Sequence, residues 1–91
     1  MRFEWDENKR WLNFRKHGID FADIISVFDS DTYVSLDDRF DYGEVRYLSL
    51  GLFLGEVIAI SYTESDAVIR IISARKAEVY EQEIYFKNIR D

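Results

Sequence analysis

A chain of 91 residues with 47% hydrophobic and 16% aromatic side chains is long enough for one modest core and too short for a second module. It contains no cysteine, which excludes disulfides, thiolate metal sites and cysteine nucleophiles, and its single histidine excludes the common zinc ligand sets. The net charge of -6 is unevenly spread: residues 1–18 hold five bases against three acids, residues 19–44 one against eight, and residues 45–91 six against seven. An anionic ligand at the basic end of the chain and a basic partner at the acidic stretch are both compatible with that division.

Met1-Arg2-Phe3-Glu4-Trp5-Asp6 has no long apolar run, so neither a signal peptide nor a membrane anchor is expected, and a cytoplasmic protein is the simplest reading. Arg2 to Trp5 alternates as a short strand with Phe3 and Trp5 on one side. Asp6 can accept from the free N–H groups of a following helix and Gly18 can close it, which predicts a helix over residues 7–17. Helical spacing puts Trp11, Leu12 and Phe14 on the expected buried arc and Lys9, Asn13 and Lys16 on a polar stripe. Asp20 reads as the cap of a second short helix, Phe21 to about Phe28, with Phe21, Ile24, Ile25 and Phe28 as its apolar positions.

Tyr33 to Leu36 reads as a strand entering the acidic loop 37–44. Strands are then expected over 45–54, 57–63 and 67–74, joined by short turns that imply an antiparallel meander. A helix is expected from Arg75 to about Arg90, with Ser73 as a candidate cap. The order β-α-α-β-β-β-β-α is that of an α+β domain, an antiparallel sheet with its helices on one face and the other face left for a ligand.

Phosphate chemistry without a metal needs a proton carrier and cations, which His, Lys, Arg and Tyr side chains can supply. His17 titrates nearest neutrality and is either a proton carrier or a capping imidazole at a helix end. The Lys9, Asn13 and Lys16 stripe suits either a phosphate or plain solvent. Arg70 interrupts the apolar run Val68-Ile69-Arg70-Ile71-Ile72, which a strand tolerates when the cation is paired or faces a cleft. Strict alternation places Arg46 beside the leucines of its strand, as in a strand-end ion pair, and places Arg70 and Arg75 on opposite faces unless Arg75 already belongs to the helix. Arg75 and Lys76 lie where strand is expected to give way to helix, a position whose free N–H groups favour anions. Tyr47, Tyr62 and Tyr85 are suited to stacking on bases or to packing.

Phe3-Glu4-Trp5-Asp6, Lys9, Asn13, Lys16-His17-Gly18-Ile19 with Phe21, Arg46-Tyr47-Leu48-Ser49-Leu50-Gly51 and Arg70-Ile71-Ile72-Ser73-Ala74-Arg75 together resemble the BrnT family of toxins, in order and over nearly the whole chain. The resemblance implies a RelE-like fold over residues 1–91 and a type II toxin-antitoxin system. It also implies metal-independent RNA cleavage without a cofactor, and neutralisation by a BrnA-type antitoxin that binds operator DNA. It marks His17, Arg46, Arg70 and Arg75 as catalytic candidates, with Lys9, Asn13, Lys16 and Lys76 as RNA contacts. The alternative is a catalytically weak or inactive module that acts through antitoxin pairing and operon repression.

Overall fold

The computed structural model describes residues 1–89. The chain runs β1 (Arg2–Glu4), α1 (Glu7–His17), two 3₁₀ turns (Phe21–Asp23 and Ile25–Asp29), β2 (Tyr33–Leu36), β3 (Tyr47–Phe53), β4 (Glu56–Ser65), β5 (Val68–Lys76) and α2 (Val79–Asn88). The five strands form one sheet in the order β1-β5-β4-β3-β2. The α+β class and the β2–β5 meander are as expected, and β1 adds a parallel pair, with Phe3 opposite Ile69. The β3–β4 and β4–β5 hairpins close on two-residue turns, Leu54–Gly55 and Asp66–Ala67, all four at positive φ. Such turns match the right-handed twist of the strands they join.

α1 has the predicted bounds because its ends are fixed by local chemistry. Asp6 accepts from the N–H of Asn8 at 2.8 Å and of Lys9 at 3.1 Å, and Gly18 at φ 72° ends the helix. Its facing is not the predicted one. Trp11, Leu12 and Phe14 are 60%, 61% and 47% exposed, and the buried residue is Asn13. β1 covers only residues 68–70 of β5, so the rest of that strand presents an open edge to α1. Asn13 closes it: its Nδ2 donates to the carbonyls of Ala74 and Ile19, both at 3.0 Å, and its Oδ1 accepts from the Ala74 N–H at 3.0 Å. A buried backbone edge needs hydrogen-bonding groups that an aromatic side chain lacks, so an amide faces inward and the apolar arc stays outside.

The core has two halves because β4 alternates. Ile58, Ile60 and Tyr62 pack with Ile69, Ile71 and Ala74 under the 3₁₀ turns, where Phe21, Ile24 and Val27 are buried. Val57 and Ala59 face the other way and pack with Leu50, Ala77 and Tyr85 of α2. The helices therefore occupy both faces, α1 with the 3₁₀ turns on one and α2 on the other, rather than the single face expected. Ile25 is only half-buried, Val27 takes the inward place instead, and the segment winds as 3₁₀ turns rather than an α-helix. Full burial of Phe21, Ile24, Ile58, Ile60 and Ile71 stabilises the fold by about 1.5–3 kcal/mol per side chain.

Gly51 lets β3 approach the second 3₁₀ turn, because a Cβ there would sit 2.5 Å from Cγ1 of Val27. Gly51→Ala should cost about 1–3 kcal/mol through overpacking. Urea unfolding at constant m-value is the check, and a loss below about 0.5 kcal/mol would mean that the turn yields easily.

Candidate functional site

The β4–β5 pairing jumps from Ser61 opposite Ser73 to Tyr62 opposite Ile71, so Ile72 is a bulge without a partner. One extra residue reverses the alternation beyond it. Arg70 pairs with Thr63 and Arg75 with Ala59, and both guanidinium side chains therefore rise from the face that carries α2. The expectation that they point to opposite faces fails for this reason. Arg75 and Lys76 are strand residues, because β5 runs to Lys76 and α2 begins at Val79. The cap of α2 is Glu78 rather than Ser73, and the Oε1 of Glu81 accepts from the Glu78 N–H at 2.9 Å. The helix start is thus occupied by carboxylate and offers nothing to an anion. The predicted helix end at Arg90 lies outside the described residues.

His17, in the last turn of α1, shares a cleft of about 390 Å³ with Lys16, Arg75, Lys76 and Glu78. A second recess of about 280 Å³ continues from Lys16 and His17 past Lys9 to Ile72 and Ser73. Burial, then the charges of Lys16 and Arg75, hold the His17 pKa below its usual 6.5, so the imidazole is neutral at pH 7 and can accept a proton. Arg75 gives Nη1 and Nη2 to the two carboxylate oxygens of Glu81, at 2.7 and 3.1 Å, and Nη1 also to the Lys76 carbonyl at 3.3 Å. Its Nε–H and the second Nη2 hydrogen remain as one unengaged edge of the fork, the geometry that binds two phosphate oxygens. Glu81 is buried, and the pair ties α2 to β5. Burial alone would raise the Glu81 carboxyl, but Arg75 and the Glu78 N–H hold it below the usual range.

Arg46 and Arg70 are brought together by one carboxylate. Glu44 accepts from Arg46 Nε at 3.0 Å and from Arg70 Nη2 at 2.8 Å, and both guanidinium groups lower its pKa. The Arg46 guanidinium also lies 3.9 Å from the centre of the Tyr42 ring. Strand alternation puts Arg46 on the same side as Leu48 and Leu50, as expected, and that side is the one bearing Arg70 and Arg75. The four catalytic candidates thus form two groups on one flank, His17 with Arg75 and Arg46 with Arg70. The five residue steps from Arg70 to Arg75 separate them by about 15 Å of strand.

Lys9, Lys16 and Lys76 are exposed around the His17 end, and Lys76 makes only an exposed 3.5 Å pair with Glu56. Asn13 leaves the set of RNA contacts, since its amide is buried and committed to backbone groups. The tyrosines pack: Tyr62 Oη and Ser49 Oγ share a buried hydrogen bond of 2.8 Å, Tyr47 stacks on Tyr62, and Tyr85 is buried against Leu50 and Val57. Sequence reasoning missed the carboxylates Asp37, Glu44 and Glu81, and with them Arg39. The local signals are the Asp37-Asp38-Arg39 and Glu44-Val45-Arg46 spacings, whereas the pairing of Glu44 with Arg70 and of Glu81 with Arg75 is made by the fold. A wider groove of about 820 Å³ touches Arg70 but is lined by Glu4, Glu44, Glu64 and Asp66 against Arg2 and Arg70, an acidic balance that suits a polyanion poorly. Among the described residues, no three His, Asp or Glu side chains converge as a metal-ligand set, and no helix is long and apolar enough to cross a membrane.

Comparison with curated proteins gives no match. A solved structure that is similar is the ribonuclease toxin BrnT of Brucella abortus, at 32% identity and a TM-score of 0.66 over 86% of this chain and 97% of that one. The family model described as "Ribonuclease toxin, BrnT, of type II toxin-antitoxin system" matches residues 5–81, a span that holds α1, strands β2 to β5 and every arginine of the site described above. The chain belongs to the BrnT family of ribonuclease toxins.

Proposed function

We propose that residues 1–91 form one catalytic domain, a metal-independent endoribonuclease that acts in the cytoplasm, inhibits translation and growth, and is neutralised by a BrnA-type antitoxin through which it reaches operator DNA. The observation that carries this reading is the shared cleft of His17, Lys16, Arg75 and Lys76, a proton acceptor beside a guanidinium edge and two ammonium groups. Neutral His17 takes the proton of a ribose 2′-hydroxyl, the 2′-oxygen bonds to the adjacent phosphorus, and the bond to the 5′-oxygen breaks. The products are a 2′,3′-cyclic phosphate and a 5′-hydroxyl that regains a proton. Arg75 and Lys16 stabilise the charge that builds on the phosphoryl oxygens. Arg46 and Arg70 hold the backbone on one side, and Lys9 holds it along the recess on the other.

A family of type II toxins implies an antitoxin protein. Asp20, Asp37 and Glu44 are engaged by Arg10, Arg39 and the Arg46–Arg70 pair, which leaves Asp23, Asp29, Asp31, Asp38 and Asp41 exposed for a basic partner. The exposed Trp11, Leu12 and Phe14 surface also suits a protein contact.

Purified protein incubated with RNA in excess chelator should yield 2′,3′-cyclic phosphate and 5′-hydroxyl ends. Intact RNA, or cleavage that only an added metal restores, counts against the proposal, and growth arrest without cleavage would leave the binding-module alternative. The cleavage rate should be flat above neutrality and fall as the pH drops through the folded His17 value, which lies below 6.5. The linked effect on stability has the same direction. The unfolded imidazole takes a proton near pH 6.5, before the folded one does, so the His17 contribution is full above that pH and is lost as pH falls through the folded value.

A further inference from the structure

Loop 37–46 carries a continuous chain of side-chain contacts from Arg39 to the Arg46–Arg70 pair. Asp37, whose side chain is 2% exposed, accepts from Arg39 Nε at 2.9 Å, Arg39 Nη2 at 3.0 Å and Tyr42 Oη at 3.2 Å. The Tyr42 ring lies against the Arg46 guanidinium, Arg46 binds Glu44, and Glu44 binds Arg70. The loop enters beside the strand that carries Arg46, because the Asp37 N–H donates to the Arg46 carbonyl at 2.8 Å. At its other end, Arg39 lies close enough to Arg75 and Glu81 for its charge to act on both.

A buried carboxylate that takes one edge of an arginine fork and a tyrosine hydroxyl is costly unless every oxygen is paired, and here the pairing is complete. It also fixes where the remaining edge points. Arg39 spends Nε and one hydrogen of Nη2 on Asp37 and keeps the Nη1–Nη2 end, on a side chain that is 56% exposed. Arg46, Arg70 and Arg75 each keep unengaged N–H groups after binding their own carboxylates. About 15 Å of strand between Arg70 and Arg75 is more than one phosphate can bridge, and Arg39 stands on a loop tied to the Arg46 end with its charge within reach of Arg75.

We propose that Arg39 is an RNA-phosphate contact joining the His17–Arg75 cleft to the Arg46–Arg70 pair, and that Asp37 is the positioning residue that aims it. Asp37 and Glu81 each occupy one edge of an arginine and Glu44 takes one N–H from each of two, so the remaining N–H groups are set before RNA arrives and their ordering costs less on binding. This rests on the ribonuclease reading above, and it separates from that reading because RNA binding can be measured without cleavage.

The test uses the full chain and a fluorescent single-stranded RNA that is 2′-O-methylated throughout and so cannot be cleaved. Anisotropy titrations over a series of salt concentrations give the affinity and its salt slope. Arg39→Ala should weaken binding about tenfold at low salt and lower the slope by about 0.7, one phosphate contact on a single strand. Arg39→Lys should keep the slope and lose most of the affinity gained from a fork. Asp37→Asn should weaken binding by a similar factor in the wild-type background and by less than about twofold when Arg39 is already Ala. On cleavable RNA, Arg39→Ala should raise KM with little change in kcat. Arg39→Ala leaves the buried Asp37 carboxylate without its guanidinium, so the Arg39→Ala/Asp37→Asn double variant, confirmed folded by melting temperature, carries the binding comparison if the single variant is destabilised. Unchanged affinity and slope for Arg39→Ala would overturn the proposal whether or not the wild type cleaves RNA. Cleavage failing while the Arg39 effect on binding persists would overturn the ribonuclease reading and leave the phosphate contact standing.

Discussion

Asn13→Ala should be the most destabilising single substitution on the surface of α1, lowering the unfolding free energy by about 3–5 kcal/mol. The amide satisfies the Ala74 N–H, the Ala74 carbonyl and the Ile19 carbonyl, and both residues are buried. Each buried group left without a partner costs about 1–3 kcal/mol, and partial entry of water limits the sum. For a domain of this size, the melting temperature should fall by roughly 15–30 °C. Asn13→Asp should do little better, because a carboxylate can accept from Ala74 but is repelled by the two carbonyls. Thermal melts of both variants decide the point, and a fall of less than about 5 °C would mean that α1 is held to β5 by something else.

The second large effect belongs to Arg75. Arg75→Ala should leave Glu81, with a side chain 4% exposed, as an unpaired buried carboxylate, at a cost of about 3–5 kcal/mol. That variant confounds folding with function. Arg75→Lys separates them, since an ammonium still neutralises Glu81 but cannot occupy the carboxylate and present a second planar edge to phosphate. It should retain most of the stability and lose about 10²–10³ in cleavage rate, the usual loss when one transition-state donor is removed. The Arg75–Glu81 pair also depends on pH. Its carboxyl is held below the usual range, so its contribution is full above about pH 4.5 and is lost as pH falls through the folded value. A variant with Glu81→Gln should therefore lose part of the acid sensitivity of the wild type, as urea midpoints between pH 3 and 6 would reveal.

The features that were legible in the sequence are those set by neighbouring residues. Asp6 and Gly18 bound α1, Asp20 caps the next turn by accepting from the Ala22 N–H, and the hairpin strands follow from alternation around short turns. The facing of α1 was not legible, because periodicity shows where apolar side chains cluster but not which side meets the sheet. Asn13 faces inward only because β1 is too short to cover the edge of β5. The shared flank of Arg70 and Arg75 was hidden for a similar reason. Nothing in Ile71-Ile72-Ser73 announces that Ile72 will be bulged, and that one residue decides where Arg75 points. His17, Arg46, Arg70 and Arg75 came from the sequence, while the pairing of Arg70 with Glu44 and of Arg75 with Glu81 came from the fold.

The net charge of -6 acquires a meaning from those partners. Acids that would repel RNA are spent on arginines: Asp37 on Arg39, Glu44 on Arg46 and Arg70, and Glu81 on Arg75. The exposed lysines Lys9, Lys16 and Lys76 remain around the His17 end, whereas Asp23, Asp29, Asp31 and Asp38 lie on segments that precede and flank β2. Acidic composition and a cationic cleft therefore coexist without contradiction, and surface charge beyond about 8–10 Å is screened in physiological salt.

The most direct test of the cleavage centre is single-turnover cleavage of one RNA, in excess chelator, by the wild type, by a His17→Ala/Arg75→Lys variant and by an Arg46→Ala/Arg70→Ala variant. The His17–Arg75 cleft predicts that the first variant binds RNA within a few-fold of the wild type and loses at least about 10³ in maximal rate, whereas the second loses affinity more than rate. Equal maximal rates for the wild type and the His17→Ala/Arg75→Lys variant, both folded by melting temperature, would contradict it.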